Sequence, residues 1–495
     1  MLTRETGDEN APMYRVFWTW DHCTRWDDQG FWKGGMPGGE SHRRAYFLQD
    51  YTRMVDFAAA HGINGIVIWG ALRALRNGEE QLRELASYAR GKGVRILPGC
   101  GTHAYGGVYY DPRPNLQVPD HPHPRSLYTW LQDHPELAAV GPDGKPYRQN
   151  PYWITACPSR PENMRWFLDS LQWLLSEFDV GGVQMETGDY SVCHCEQCKK
   201  HHPKDENQAF RVQDMLDIYA PAVEAARAVR PDAWVICETY SSFAPAVEEE
   251  SPGFGSAMSE AQQEALTGLP EGAIVQWVLD KATRFPPSHR WDDGCRPPTA
   301  HNIGRIHAGC QWHEFGMEHW GVHEIGSLVR RARAGGLGGV SIFGEEPASS
   351  PPNEANYLVF SEFCGFGQAN PECDMDLLFS QTLDPLYGGA GMAKHWQRIY
   401  VAGQCLAAAR SLVRRERLRS SEALQAAMDE PKLLGEADLL AKANTMPSSE
   451  RAAHTADLAA EAHSTASGLS GDPCRRWSWL ESRLWRFEYL HRTDG

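Results

Sequence analysis

Between Tyr14 and Glu346 the chain alternates short apolar runs with amphipathic stretches, and this repetition limits its fold more than any other feature. Residues 14–20, YRVFWTW, run into Asp21 and read as a first strand. Residues 46–61 carry helical periodicity and close at Gly62, after which 63–70, INGIVIWG, read as a second strand. The pattern recurs as a helix over 79–92, a strand at 94–98, a helix over 161–177 with Pro at its start, and a strand at Val183. A helix over 210–229 and strands at 233–240, 272–280, 305–314 and 338–346 follow, with a helix over 326–334 before the last. Eight strand candidates, most followed by a helical stretch, predict an α/β chain built as a (β/α)8 TIM barrel. The weak link is the Pro-, Asp- and Gly-rich stretch 285–304, where a helix should lie. A doubly wound sheet or separate α/β domains are the competing arrangements.

Three regions follow. Residues 1–13 are polar and read as a flexible N-terminus, 14–369 as the barrel, and 370–495 as a mainly helical C-terminal domain. The barrel carries an insertion near 111–153, rich in Pro, His and Tyr, with no obvious regular structure; insertions of this length are usually functional. A formal net charge of -16 argues against nucleic acid as a partner. No segment has the pattern of a signal peptide or the roughly 20 apolar residues of a membrane span. The sequence as given therefore reads as cytoplasmic with no membrane partner, although a trimmed secretion signal would leave no trace. Homo-oligomerisation stays open.

A barrel presents chemistry at the C-terminal ends of its strands. Those ends hold Trp20 and Asp21, Trp69, His103, Glu186 and Asp189, Glu238, Trp277 and Asp280, Trp312, His313 and Glu314, and Glu345 and Glu346. Several carboxylates with several tryptophans match a carbohydrate cleft, in which aromatic faces hold sugar rings. Most of the 18 Trp should nonetheless be packing. Glycoside hydrolysis needs one carboxyl to protonate the leaving oxygen and a second to activate water or attack the sugar. Glu186, after the apolar run 181–185, is the first choice for the acid; a structural Glu is the alternative. Asp189 follows Gly188 and either points into the cleft or closes a turn. Glu345 and Glu238 are the favoured partners for Glu186, ahead of Glu314. A carboxyl separation of about 5 Å would mean retention, and about 6.5–9.5 Å inversion. Trp20, Asp21, Trp69, His103, Trp277, Trp312, His313 and Glu314 are the candidate substrate-binding residues, and no cofactor is expected to take part in catalysis. Phosphate-cradling glycine loops, the nucleophile elbow and the zincin helix are all missing from the sequence.

Directly after Glu186, residues 193–198 read CHCEQC. That spacing lets three thiolates turn onto one ion, and zinc takes four such ligands in a tetrahedron. Cys157 is the chosen fourth ligand beside Cys193, Cys195 and Cys198, with His194, His201 and His202 as alternatives. Such a zinc would be structural and would pin the loop holding Glu186 and Asp189. Free thiols, a local disulfide or an iron–sulfur cluster are the other readings.

The stretches CPSRPENM at 157–164, GGVQME at 181–186 and CHCEQC at 193–198, with EANYLVF at 354–360 and LDPLYG at 383–388, resemble glycoside hydrolase barrels. The likeness is to family 67 α-glucuronidases, to hexosaminidases of the family 20, 84 and 89 type, and to bacterial relatives carrying a C-x-C-x-x-C loop. It implies an exo-acting glycosidase on a terminal uronic acid or N-acetylhexosamine, with Glu186 as general acid. Two departures stand out: Met185 occupies the place where families 20 and 84 have an adjacent acid, and strand one begins near residue 14, where those families usually place a preceding α/β domain. Two rival readings are a barrel lyase or hydrolase on acidic or modified sugars, using Arg160, Arg284 or Arg290, and a non-catalytic carbohydrate-binding barrel.

Overall fold

The computed structural model describes residues 14–21, 38–72, 77–109, 123–146, 154–186, 193–201, 212–239, 266, 268–279, 301–306, 320–334, 337–343, 350–365, 375–416 and 442–493. Eight parallel strands close into a barrel in sequence order: β1 Tyr14–Trp20, β2 Gly65–Trp69, β3 Arg95–Gly101, β4 Gly182–Glu186, β5 Trp234–Glu238, β6 Ala273–Val278, β7 Asn302–Ile306 and β8 Gly339–Phe343. Around it run α1 (Gly38–Ala60), α2 (Gly78–Gly91), α3 (Leu127–Asp133), α4 (Pro161–Glu177), α5 (Glu196–His201), α6 (Val212–Val229) and α7 (Val322–Ala334). This is the TIM barrel expected from the alternation of strands and helices.

Two units make up the chain: Met1–His307 with Leu328–Pro347, and Ala308–Ser327 with Ala348–Gly495. The second unit therefore takes in residues 348–369, which composition assigns to the barrel.

Buried residues on both faces of the strands explain why they read as apolar runs. Phe17, Ile66, Ile68, Ile96, Met185, Val235 and Ile342 lie on the outward face, where helices cover the sheet. The inward face is unusually polar. In a TIM barrel the inward side chains of alternate strands share a level. The register places Trp18, Gly99, Glu238 and Arg305, from the odd-numbered strands, on one level. The even-numbered strands supply Val67, Gln184, Gln276 and Ser341 below it, and Trp69, Glu186 and Val278 above it, nearer the C-terminal mouth.

Two sequence expectations are corrected. The strand expected at 305–314 is Asn302–Ile306. Arg305 suggests a strand start when read alone, but it sits inside the barrel, satisfied by an ion pair described below. The insertion expected near 111–153 as irregular holds α3, a 3-10 turn at Pro135–Leu137, and bridges pairing Ala138 with Ala156 and Val140 with Pro146. These short elements carry too few periodic residues to register as pattern.

The second unit is helical. Its members include α8 (Pro351–Phe363), α9 (Met392–Glu416), α10 (Ser448–Ser467) and α11 (Gly471–Arg492). Trp396 is its packing centre, with ring centroids 4.9 Å from Tyr400, 5.2 Å from Tyr387 and 5.1 Å from Trp320. Arg476 grips both oxygens of Glu354 at 2.8 and 2.7 Å, a bidentate pair that clips α11 to α8. The Asp384 carboxylate accepts from the backbone N–H groups of Gly391 and Ala393 at 2.7 and 3.0 Å, capping the start of α9.

Candidate active site and cysteine centre

Glu186 ends β4, is 3% exposed, and shares its level with Trp69, one level below Trp20 and Gly101. The register that pairs Met185 with Cys237 continues to bring Glu186 beside Glu238, on strands about 4.8 Å apart. The two carboxylates thus share the inward face, with Glu238 one level deeper. Thr102 donates its N–H to the Glu186 carbonyl at 2.9 Å, which fixes the backbone where β4 leaves the sheet.

Glu238 is fully buried and pairs with Arg305 of β7, Oε2 to Nη1, at 3.0 Å. The guanidinium also lies over the Trp18 ring, 4.9 Å from its centroid. Burial pushes the Glu238 carboxyl above the ordinary range, and the Arg305 charge pulls it back down. Arg305 escapes sequence reasoning because no motif marks it. A charged residue opening an expected strand was the available signal.

Below and across this level runs a chain of hydrogen bonds. Trp69 Nε1 donates to Gln184 Oε1 at 2.8 Å, Gln184 Nε2 to Gln276 Oε1 at 3.3 Å, and Gln276 Nε2 to Ser341 Oγ at 2.7 Å. Gly99 makes this geometry available. A Cβ there would stand 2.5 Å from the Trp69 indole, so the missing side chain is what lets Trp69 lean over β3 to reach Gln184.

At the mouth, Trp20 is half-buried, with its ring 5.6 Å from Trp69 and 5.3 Å from Trp18. Tyr105 closes the other side of Trp69 at 5.6 Å, on a left-handed backbone with φ 55, rare for a bulky residue. Asp21 is buried; it donates its N–H to the Trp69 carbonyl at 2.8 Å. Its carboxyl fills the space where a Cβ on Gly70 would fall, at 2.5 Å, so Gly70 serves both its own left-handed turn (φ 82) and this contact. His103 is buried at the end of β3 and its carbonyl accepts the Ala156 N–H at 2.8 Å. Burial pushes its imidazole below the ordinary range, while the charges of Asp214 and Cys198 oppose this.

Trp277, expected as a sugar platform, is corrected. It shares β6 with the inward Gln276, so it points outward into the helix layer, where Nε1 donates to Asn302 Oδ1 at 2.7 Å. Asp189, Asp280, Trp312, His313, Glu314, Glu345 and Glu346 lie outside the described residues.

The cysteines converge. The Sγ atoms of Cys157, Cys193, Cys195 and Cys198 all lie within 4.8 Å of one another. Cys157 Sγ is 3.6 Å from Cys193, 3.7 Å from Cys195 and 3.7 Å from Cys198. Those distances are too long for disulfides and match the edge of about 3.8 Å that a tetrahedron with 2.3 Å zinc–sulfur bonds would have. Backbone N–H groups already point at the sulfurs, from Val140 to Cys193 at 3.2 Å and from Cys198 to Cys195 at 3.4 Å. Ser159 Oγ stands 2.9 Å from Cys198. Hydrogen bonds from Cys157 and then Cys198, joined by those from Val140 and Cys195, hold the Cys193 thiol down to about 4, in its ligating thiolate form. The donor set fits a metal ion. Of the alternative fourth ligands, His201 Nε2 instead meets Asp217 at 2.9 Å. The cluster joins Cys157, next to the Ala138–Ala156 bridge, to the segment after β4.

No protein-family model and no curated protein sequence matches the chain. Among solved structures, a family GH138 enzyme targeting pectin rhamnogalacturonan II superposes with a TM-score of 0.52 at 11% identity, over 97% of this chain. The chain covers 57% of that enzyme's length. A β-N-acetylhexosaminidase from Bacteroides fragilis matches at TM-score 0.43 and 11% identity, over 76% of this chain and 70% of its own. A β-mannanase from the blue mussel Mytilus edulis matches at 0.39 and 12%, over 72% and 93%. All three are named as glycoside-cleaving enzymes. At such identities the likeness is one of architecture, and the last two superpositions are too loose to bear on function.

Proposed function

We propose that the chain is a glycoside hydrolase, exo-acting on a terminal uronic acid or N-acetylhexosamine, with Glu186 as the general acid. The observation that carries this is the placement of Glu186: a buried carboxyl at the C-terminal end of β4, one level below Trp20 at the mouth, on the level of Trp69 and next to a second carboxylate on β5. Proton donation to a glycosidic oxygen calls for a carboxyl that stays protonated near neutral pH, and burial with a like charge nearby favours that state. The second carboxyl of the reaction is drawn from Glu345 and Asp189, which follow β8 and β4 in sequence. Trp20 supplies an aromatic face at the mouth, with Asp21 and His103 at neighbouring strand ends. Zinc held by Cys157, Cys193, Cys195 and Cys198 would tie the insertion to the segment following Glu186, with no part in bond cleavage.

The test is sugar release. The wild-type protein is incubated with pectin- and glycosaminoglycan-derived oligosaccharides and with 4-nitrophenyl uronides and N-acetylhexosaminides. A terminal monosaccharide should be freed from at least one class, and Glu186→Gln should lower that rate by about 10²–10⁴-fold. Release from none of them, or full activity in the variant, contradicts the reading.

A further inference from the structure

The Glu238–Arg305 pair has a direction. Glu238 stands one strand from Glu186, whereas Arg305 stands three strands away, on β7. The negative end of this buried dipole therefore lies next to Glu186 and the positive end lies against Trp18. Resting on the reading of Glu186 as the acid, we propose that Arg305 and Glu238 are positioning residues which together keep Glu186 in its protonated, proton-donating form.

The physical chain is short. A carboxylate beside a second carboxyl disfavours loss of the second proton. A buried carboxylate by itself would take up a proton and the influence would vanish, so the charge needs a cation that holds it. Arg305 serves that purpose at 3.0 Å, and its own placement is secured by the Trp18 face and by the strand register. Gly99 completes the level without adding bulk or charge, which leaves the ion pair and the Trp18 ring as its contents. The titratable groups on the elements flanking Glu186, among the described residues, are His103 and Cys100 on the β3 side, Glu238 and Cys237 on β5, and Asp214 and Tyr219 on α6. Burial pushes the Cys100 and Cys237 thiols up and keeps them neutral. Tyr219 is occupied in donating to the Glu238 carbonyl at 2.6 Å. Asp214 acts on His103, so Glu238 is the carboxyl group on the strand adjoining Glu186.

The test needs no substrate. Thermal midpoints are measured from pH 4.5 to 8 for wild type, Glu186→Gln, Glu238→Gln and the double variant. A carboxyl held protonated by the fold stabilises it below the unfolded value of about 4.3, and that contribution is lost as pH rises. Wild type should therefore lose ground to Glu186→Gln with rising pH. In the Glu238→Gln background the same divergence should shrink to roughly half or less. Arg305→Met should shrink it too, because burial then protonates Glu238, and Arg305→Lys should restore it; these serve if Glu238→Gln does not fold. An equal divergence in all backgrounds overturns the proposal, and so does the absence of divergence in the wild-type background. A packing role alone would lower the midpoint equally at every pH. Failure of the glycosidase reading would show separately, as no sugar release.

Discussion

At the scale of residues, the inner face of the barrel carries charge where such barrels are usually filled with aliphatic side chains. Removing the cation of a buried ion pair forces the remaining carboxylate either to stay charged without a partner or to take up a proton on folding, at a cost of about 3–5 kcal/mol at neutral pH. Arg305→Met should therefore lower stability by about that amount at neutral pH. The loss should diminish toward pH 4, because Glu238, whose carboxyl would be raised further without the cation, then protonates in the folded and unfolded states alike. Chemical denaturation at two pH values checks this; an equal loss at both would show that the pair matters for shape and not charge. Arg305 also shows what one residue conceals in a linear reading. The linear reading opens the seventh strand at Arg305 and runs it to 314, whereas the strand is Asn302–Ile306. A buried charge is invisible to hydrophobic patterning unless its partner, here on another strand, is known.

Elements explain how the site is held. β3 presents Gly99 to the barrel interior so that Trp69 from β2 can cross it and bind Gln184 on β4. Gly99→Ala should push the indole away and break that bond, destabilising the chain by about 1–3 kcal/mol, read as a fall in thermal midpoint. An unchanged midpoint would mean that Trp69 has room to retreat. Outside the barrel, the four cysteines join two segments distant in sequence, the one at Cys157 beside the Ala138–Ala156 bridge and the one from Cys193 to Cys198. Purified protein should contain about one equivalent of zinc, and Cys157→Ser should lose it along with thermal stability. Less than about half an equivalent after gentle preparation would argue against a structural zinc. The three clustered cysteines were legible from spacing. The convergence of Cys157 needed the insertion to fold back through its bridges at 138/156 and 140/146.

For the molecule as a whole, the alternation of strands and helices was enough to expect the barrel, because each buried strand must be followed by something that covers it. Orientation within each strand was not readable. In strands buried on both faces the apolar run is continuous, so nothing in AIVQWV told Trp277 from Gln276, and the tryptophan proved to face the helices. Glu186, by contrast, was locatable because a carboxyl ending an apolar strand has one natural destination in a barrel, its C-terminal face. The excess of tryptophan divides as composition suggested: Trp396 and Trp477 are fully buried in the helical unit, while Trp20 stays half-buried at the mouth.

The central claim is that Glu186 donates the proton to the departing oxygen, and leaving-group dependence tests it most directly. A dinitrophenyl leaving group departs with little need of a proton, whereas an alkyl or sugar oxygen requires one. Glu186→Gln should therefore hydrolyse a dinitrophenyl glycoside at close to the wild-type rate, yet cleave the matching alkyl glycoside about 10²–10⁴-fold more slowly. Equal losses on both substrates, or no loss on either, would contradict the assignment of Glu186 as the general acid.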